Sequence, residues 1–110
     1  YVTVIRYKDG KYEVDVPDCR YQCDDTYITV CSDFFSSAFA PGVSAPQSLG
    51  LDPEIVLPLI KHVLRTRKVR GFDICEISPR FDQDNTTANL GAVIIFAVVN
   101  TLCRLNGLSI

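Results

Sequence analysis

The sequence contains no methionine and no tryptophan, a single histidine, His62, and no pair of cysteines in CxxC spacing. It also lacks an excess of either charge: 11 Lys and Arg stand against 13 Asp and Glu, a formal charge of −2. A field of one sign, the footprint expected of a nucleic-acid or anionic-membrane binder, is therefore missing, and neither partner is expected. The longest uninterrupted apolar run, Gly91 to Val99, is far below the roughly 18 to 20 residues a bilayer span requires, so no membrane segment is expected. The first residues, Tyr1 to Arg6, lack the charged-then-apolar pattern of a signal peptide. With no initiator methionine, further sequence is expected upstream.

What is present fits one soluble unit. The chain has 110 residues, 47% hydrophobic and 22% charged, enough apolar content for a modest core. Five cysteines, Cys19, Cys23, Cys31, Cys75 and Cys103, are an odd number, and some sit in strongly apolar segments. They read as reduced thiols of a cytoplasmic protein rather than a disulfide scaffold. Cys19 and Cys23 resemble half of a zinc site, but His62 lies far off on an expected helix, so no structural zinc is assigned.

Tyr1 to Tyr7 and Tyr12 to Val16 are β-rich stretches around Lys8-Asp9-Gly10-Lys11, where Asp-Gly suits a tight turn, and a hairpin is expected. Thr26 to Ser32 has the β-branched density of a buried strand and ends on Asp33. Residues 34–50 form a Ser-, Pro- and Gly-rich connection that is long for a compact domain. Its apolar residues, Phe34, Phe35, Phe39, Val43 and Leu49, point to a packed, site-forming loop rather than a disordered one.

Asp52-Pro53-Glu54 is a helix start, with Asp as N-cap and Pro at the first helical position. Ile55, Val56, Leu59, Ile60, Val63 and Leu64 fall on one stripe, and Pro58 is expected to interrupt or kink the helix. Val69 to Ile77 reads as another strand, bearing Asp73 and Glu76 and stopped by Ser78-Pro79. Asn85-Thr86-Thr87 can cap a last helix running to about Leu105, apolar nearly all round between Gly91 and Val99. Strand, loop, helix and strand make a βαβ unit of an α/β fold. In such folds ligands sit beyond the carboxyl ends of the strands, where Asp33 and Glu76 fall. Two acids at strand ends also serve commonly as caps or surface groups, so spacing alone leaves the shared site open.

A resemblance adds to this reading. Thr29-Val30-Cys31-Ser32-Asp33, followed by Ala38-Phe39-Ala40-Pro41-Gly42-Val43-Ser44-Ala45-Pro46, resembles the signature of the ureohydrolases (arginases, agmatinases and formimidoylglutamases). In that signature Ser/Thr-x-Asp-x-Asp leads eight residues later to Pro-Gly, the interval from Asp33 to Pro41 here. Asp73-Ile74-Cys75-Glu76-Ile77-Ser78-Pro79 is similar to a second family element, Asp-x-x-Glu-x-Asn/Ser-Pro. The resemblance covers roughly Tyr27 to Leu102. Gly42-Val43-Ser44-Ala45-Pro46 with Ser78-Pro79-Arg80-Phe81-Asp82 is most similar to the formimidoylglutamase branch, since arginases have Gly-Thr-Gly-Thr-Pro in the loop.

The resemblance implies a three-layer αβα fold with a mainly parallel sheet, of which this chain is a C-terminal portion. Residues 1–25 would form a hairpin and connector, and 26–110 the core segment. It implies hydrolysis of a linear amidine, N-formimidoyl-L-glutamate, to L-glutamate and formamide in histidine breakdown, with agmatinase- or arginase-type hydrolysis and a non-catalytic binding module as alternatives. It implies two manganese ions bridged by water, and a homo-oligomer, trimeric or hexameric, of the full-length chain. Asp33 matches a metal-binding aspartate and Glu76 the glutamate that orients the cationic amidine. Arg80 could meet a substrate carboxylate or be an exposed loop residue; Asp73 and Asp82 read as local caps or pairs.

The sequence departs from the family at Cys31, which stands where the first metal-binding aspartate is expected. Carboxylate oxygens suit manganese and a thiolate does so poorly. Cys31 could be a ligand, mark a one-metal site, or be a buried thiol. The family's upstream histidine and aspartate ligands are not among these residues, and His62 matches none of them. At most part of a metal site is expected here, and the isolated 110-residue chain is expected to be inactive.

Overall fold

In the computed structural model, residues 4–8, 11–15 and 25–108 are described. Strands β1 (Val4–Lys8) and β2 (Lys11–Asp15) pair antiparallel, with Lys8 opposite Lys11, so the expected hairpin is present. The Asp9-Gly10 turn and the outer ends of that expectation, and Cys19 and Cys23 with their half zinc site, lie outside the described residues.

β3 (Thr26–Cys31) and β4 (Val69–Cys75) form a separate two-stranded parallel sheet. The connection between them contains helix α1 (Pro53–Leu64), so the βαβ unit is formed as expected. Helix α2 (Thr86–Leu105) follows. One core joins Val30 of β3, Phe35, Ala40 and Leu51 of the loop, Val56, Ile60 and Leu64 of α1, and Ile94 and Val98 of α2. The buried positions of α1, Pro53, Val56, Ile60 and Leu64, recur at spacings of three and four, which turns one apolar stripe toward α2.

Local signals explain the helix ends. The Asp52 carboxylate accepts the Glu54 N–H at 2.8 Å, with Pro53 opening the helix. Pro58 does not interrupt α1, which runs through it without a break. Its ring is on the exposed side, so the backbone bond it cannot donate is lost where water reaches the orphaned carbonyl. The cap of α2 also differs from expectation. Asn85 takes the left-handed conformation, φ 58°, and caps nothing with its side chain. Asp82 performs that role, accepting the Thr87 and Ala88 N–H groups at 3.0 and 3.1 Å.

The long loop is packed, as its apolar residues foretell. Ser36 N–H donates to Leu51 O at 2.9 Å, Leu51 N–H to Phe34 O at 2.9 Å, and Ser37 N–H to Gln47 O at 2.7 Å. Phe35 and Val43 are buried, but Leu49, 92% exposed, is not a core residue. It lies between the bonded positions Gln47 and Leu51.

α2 corrects one expectation. Over its most apolar 18-residue window the mean hydropathy is 1.7, and by length and composition it could cross a membrane. Counting only the uninterrupted run misses this, because the flanking Thr, Asn and Gly residues dilute the hydropathy without adding charge. Within this chain only 22% of that window is buried, and Val93, Ile95, Phe96 and Val99 are exposed.

Candidate active site

The carboxyl ends of β3 and β4 are level with each other, since Cys31 is the register partner of Cys75. Each strand stops there for a backbone reason. After Cys31 the chain tightens into a 3₁₀ turn, Ser32–Phe34, which carries Asp33 just past the strand end. After Cys75 the chain turns through Glu76 at φ 71°, a left-handed conformation that a residue with a side chain adopts at a cost. β4 is thus two residues shorter than the pattern Val69 to Ile77 suggests, and Glu76 is aimed by a strained corner instead of lying in the strand. Asp33 is partly buried and Glu76 exposed. Both carboxylates are near enough to Cys31 to act on its thiol electrostatically. The structure therefore brings Asp33, Cys31 and Glu76 to one end of one parallel strand pair, the place an α/β fold offers a ligand.

The Cys31 and Cys75 sulfurs are 3.4 Å apart, and Cys75 also points its thiol at Val30 O at 3.6 Å. This hydrogen bond, then burial and the negative surroundings of Asp33 and Glu76, push the Cys31 thiol up to about 11. At neutral pH Cys31 is accordingly a neutral thiol. Cys31 is exposed, so its reading as a buried thiol is corrected; Cys75 is the half-buried member of the pair. Sequence reasoning missed the role of Cys75. No spacing in the sequence reports it, because Asp33 stands two residues beyond Cys31 and Glu76 one beyond Cys75, and only the strand register sets the two cysteines side by side.

Ser32, between Cys31 and Asp33, is 2% exposed and its hydroxyl has no partner among the described residues. Arg80 is exposed in the turn Pro79–Phe81, with its guanidinium carbon 4.7 Å from the centre of the Phe81 ring. His62 is exposed on α1, away from the strand ends in the chain's architecture. Asp73 acts locally, as expected: it accepts the Thr29 hydroxyl at 2.7 Å, and by hydrogen bonding to the Tyr27 phenol it holds that group above its usual value, against ionisation.

The Pro-Gly segment is fixed to the rest of the site by its backbone. Gly42 N–H donates to the Thr87 hydroxyl at 2.7 Å and Gly42 O accepts the Ser78 N–H at 2.7 Å. These two bonds join the loop after Asp33 to the segment after Glu76.

The donor set can be compared with what a two-manganese centre needs. Asp33 is a hard carboxylate, but Cys31 is a soft donor already hydrogen-bonded to Cys75. Among the described residues, no three His, Cys, Asp or Glu side chains gather to hold a metal ion. These residues alone do not fit a two-manganese centre.

A βαβ unit that sets two carboxylates beyond adjacent parallel strands, with a Pro-Gly loop bonded to the segment that follows them, is the arrangement in which α/β folds place a ligand. Residues 13–100 match the arginase family, and the chain belongs to that family. A formimidoylglutamase of Clostridium tetani is 64% identical over 87 residues, covering 79% of this chain and 26% of that protein. The solved agmatine ureohydrolase of Thermoplasma volcanium superposes with a TM-score of 0.70 at 30% identity, over 79% of this chain and 29% of that one. The formimidoylglutamase of Bacillus subtilis shares the fold, with a TM-score of 0.72 at 24% identity over 76% of this chain and 26% of that one. The chain spans about a quarter of the length of the relatives it matches.

Proposed function

We propose that this chain is the part of a formimidoylglutamase that carries its Asp33 and Glu76 strand ends, and that the whole protein hydrolyses N-formimidoyl-L-glutamate to L-glutamate and formamide. The observation that carries this reading is the level pairing of Cys31 with Cys75, which puts the Asp33 and Glu76 carboxylates at one edge. The 64% identity to a formimidoylglutamase over 79% of this chain supports the substrate choice.

Each residue has a task matched to its chemistry. The Glu76 carboxylate accepts hydrogen bonds from the cationic amidinium, the charge-assisted kind that is roughly twice as strong as a neutral pair. Its strained φ fixes the aim of the side chain. Arg80, exposed and cationic in the turn Pro79–Phe81, would meet a carboxylate of the glutamate half. Asp33 is the hard ligand this chain offers to a divalent ion. Manganese is the family's metal, and its remaining ligands would have to come from outside the described residues.

A second reading is favoured by Cys31 alone: a hard ligand replaced by a neutral thiol suits a non-catalytic module of the same fold. One experiment separates the two. The chain in its full-length context is assayed for bound manganese and for formamide release, beside Asp33→Ala and Cys31→Asp. Manganese-dependent turnover lost in Asp33→Ala is expected. Absence of both metal and turnover on formimidoylglutamate, agmatine and arginine would leave the binding module.

A further inference from the structure

The two thiols at the strand ends form a chemical unit that neither the hydrolysis nor the core uses. Cys31 and Cys75 are register partners, with sulfurs 3.4 Å apart, about 1.4 Å beyond a disulfide bond of ~2.05 Å. Adjacent strands run about 4.8 Å apart, inside the range of Cα separations, roughly 4.4–6.8 Å, that disulfides span. Closing the gap therefore asks for side-chain rotation and not for separation of the strands. Exposure sorts the roles: Cys31 is open to solvent and Cys75 is half-buried behind it.

We propose that Cys31 and Cys75 are an oxidisable dithiol site, closed to a disulfide by a hydroperoxide and reopened by a small dithiol. The Cys31 sulfur, giving its proton to water, attacks the terminal oxygen of the hydroperoxide. The O–O bond breaks, an alcohol (water, from hydrogen peroxide) leaves, and Cys31 becomes a sulfenic acid. The Cys75 sulfur then attacks the Cys31 sulfur, the S–O bond breaks, and water leaves as the S–S bond forms. Two thiols and one hydroperoxide give one disulfide, one alcohol and one water. The sulfur pair is oxidised by two electrons and the peroxide bond is reduced by two.

The bridge would tie together the two strand ends from which Asp33 and Glu76 depart. Its effect on turnover rests on the proposed function; its formation does not. The reaction is followed to its end point.

The test uses the full-length protein. It is treated with hydrogen peroxide, remaining thiols are blocked with iodoacetamide, and the non-reduced digest is read by mass spectrometry. The expected result is a peptide pair joined through Cys31 and Cys75, two hydrogens lighter than the separate peptides, which dithiothreitol splits. Cys75→Ser abolishes this pair and leaves Cys31 as an oxyacid, whereas Cys103→Ser keeps it. Cys31 joined to any other cysteine, or both thiols still alkylated under conditions that fully oxidise free cysteine, overturns the proposal. Formamide release is assayed on the same samples, with a loss in proportion to the bridged fraction and recovery in dithiothreitol expected. A bridge that forms in protein without amidine hydrolysis in any state refutes the proposed function and leaves the dithiol standing. Turnover without a bridge does the reverse.

Discussion

Gly42 and Asp82 are in such close approach that a side-chain carbon on Gly42 would come within 2.7 Å of the Asp82 carboxylate. The same carboxylate caps α2, and the Thr87 hydroxyl beside it receives the Gly42 N–H. The absence of a side chain at residue 42 is therefore what lets the loop after Asp33 lie against the start of α2. Gly42→Ala is expected to displace the Asp82 cap and lower the thermal midpoint of the full-length protein. A midpoint within error of wild type would show that the loop does not need this contact.

Asp82 also sets a pH dependence. Desolvation pushes its carboxyl up, but the N–H groups of Thr87, Ala88 and Gln83 and the Thr87 hydroxyl outweigh it and hold the carboxyl below its usual 3.8. A carboxyl lowered by folding adds stability above its unfolded value, and that stability is lost as pH falls through the folded one. Asp82→Asn is expected to be less stable than wild type at pH 7 and to converge with it as pH falls below about 3.8. Urea midpoints measured across that range check this.

Gly50 meets backbone rather than a side chain: an added carbon would lie 2.4 Å from the Phe35 carbonyl carbon. Backbone cannot rotate away, so Gly50→Ala should cost about 1–3 kcal/mol, the usual range for overpacking. Chemical denaturation of the full-length protein reads it directly.

Glu76 offers a way to separate strain from chemistry. Glycine relieves a left-handed backbone, so Glu76→Gly should gain about 1 kcal/mol of stability while it loses the carboxylate. A variant with an unchanged or higher unfolding midpoint and formimidoylglutamate turnover reduced by 10-fold or more, about one charge-assisted hydrogen bond, is expected. Retained turnover would remove Glu76 from substrate binding.

Arg80 tests the same binding from the carboxylate side. Arg80→Ala should raise KM for formimidoylglutamate roughly 10-fold, with little change in kcat, as loss of one charge-assisted hydrogen bond predicts. Equal KM values for variant and wild type would return Arg80 to the role of an exposed loop residue over Phe81.

Much of the site was legible from order alone. Asp33 and Glu76 follow β-branched runs separated by a helix, and parallel pairing through a crossover sends both strand ends the same way. Helix caps were readable where the signal is contiguous, as at Asp52-Pro53-Glu54, and misread where it is not. Asp82 reaches past Asn85 to cap α2, and no spacing rule for adjacent residues reports that. The end of β4 was misplaced for a related reason, since Ile74 to Ile77 keeps strand-like residue types while Glu76 leaves the strand through a single backbone angle.

The sequence by itself determined the α/β class, the two strand-end carboxylates, the packed character of the loop and the departure at Cys31, because these follow from residue type and short spacing. Only the tertiary structure decided that Cys31 faces Cys75, that Gly42 lies against Asp82, and that α2 leaves Val93, Ile95, Phe96 and Val99 uncovered. Those relations depend on register and on which faces meet, and contacts between residues some forty positions apart are set by packing rather than by any local preference.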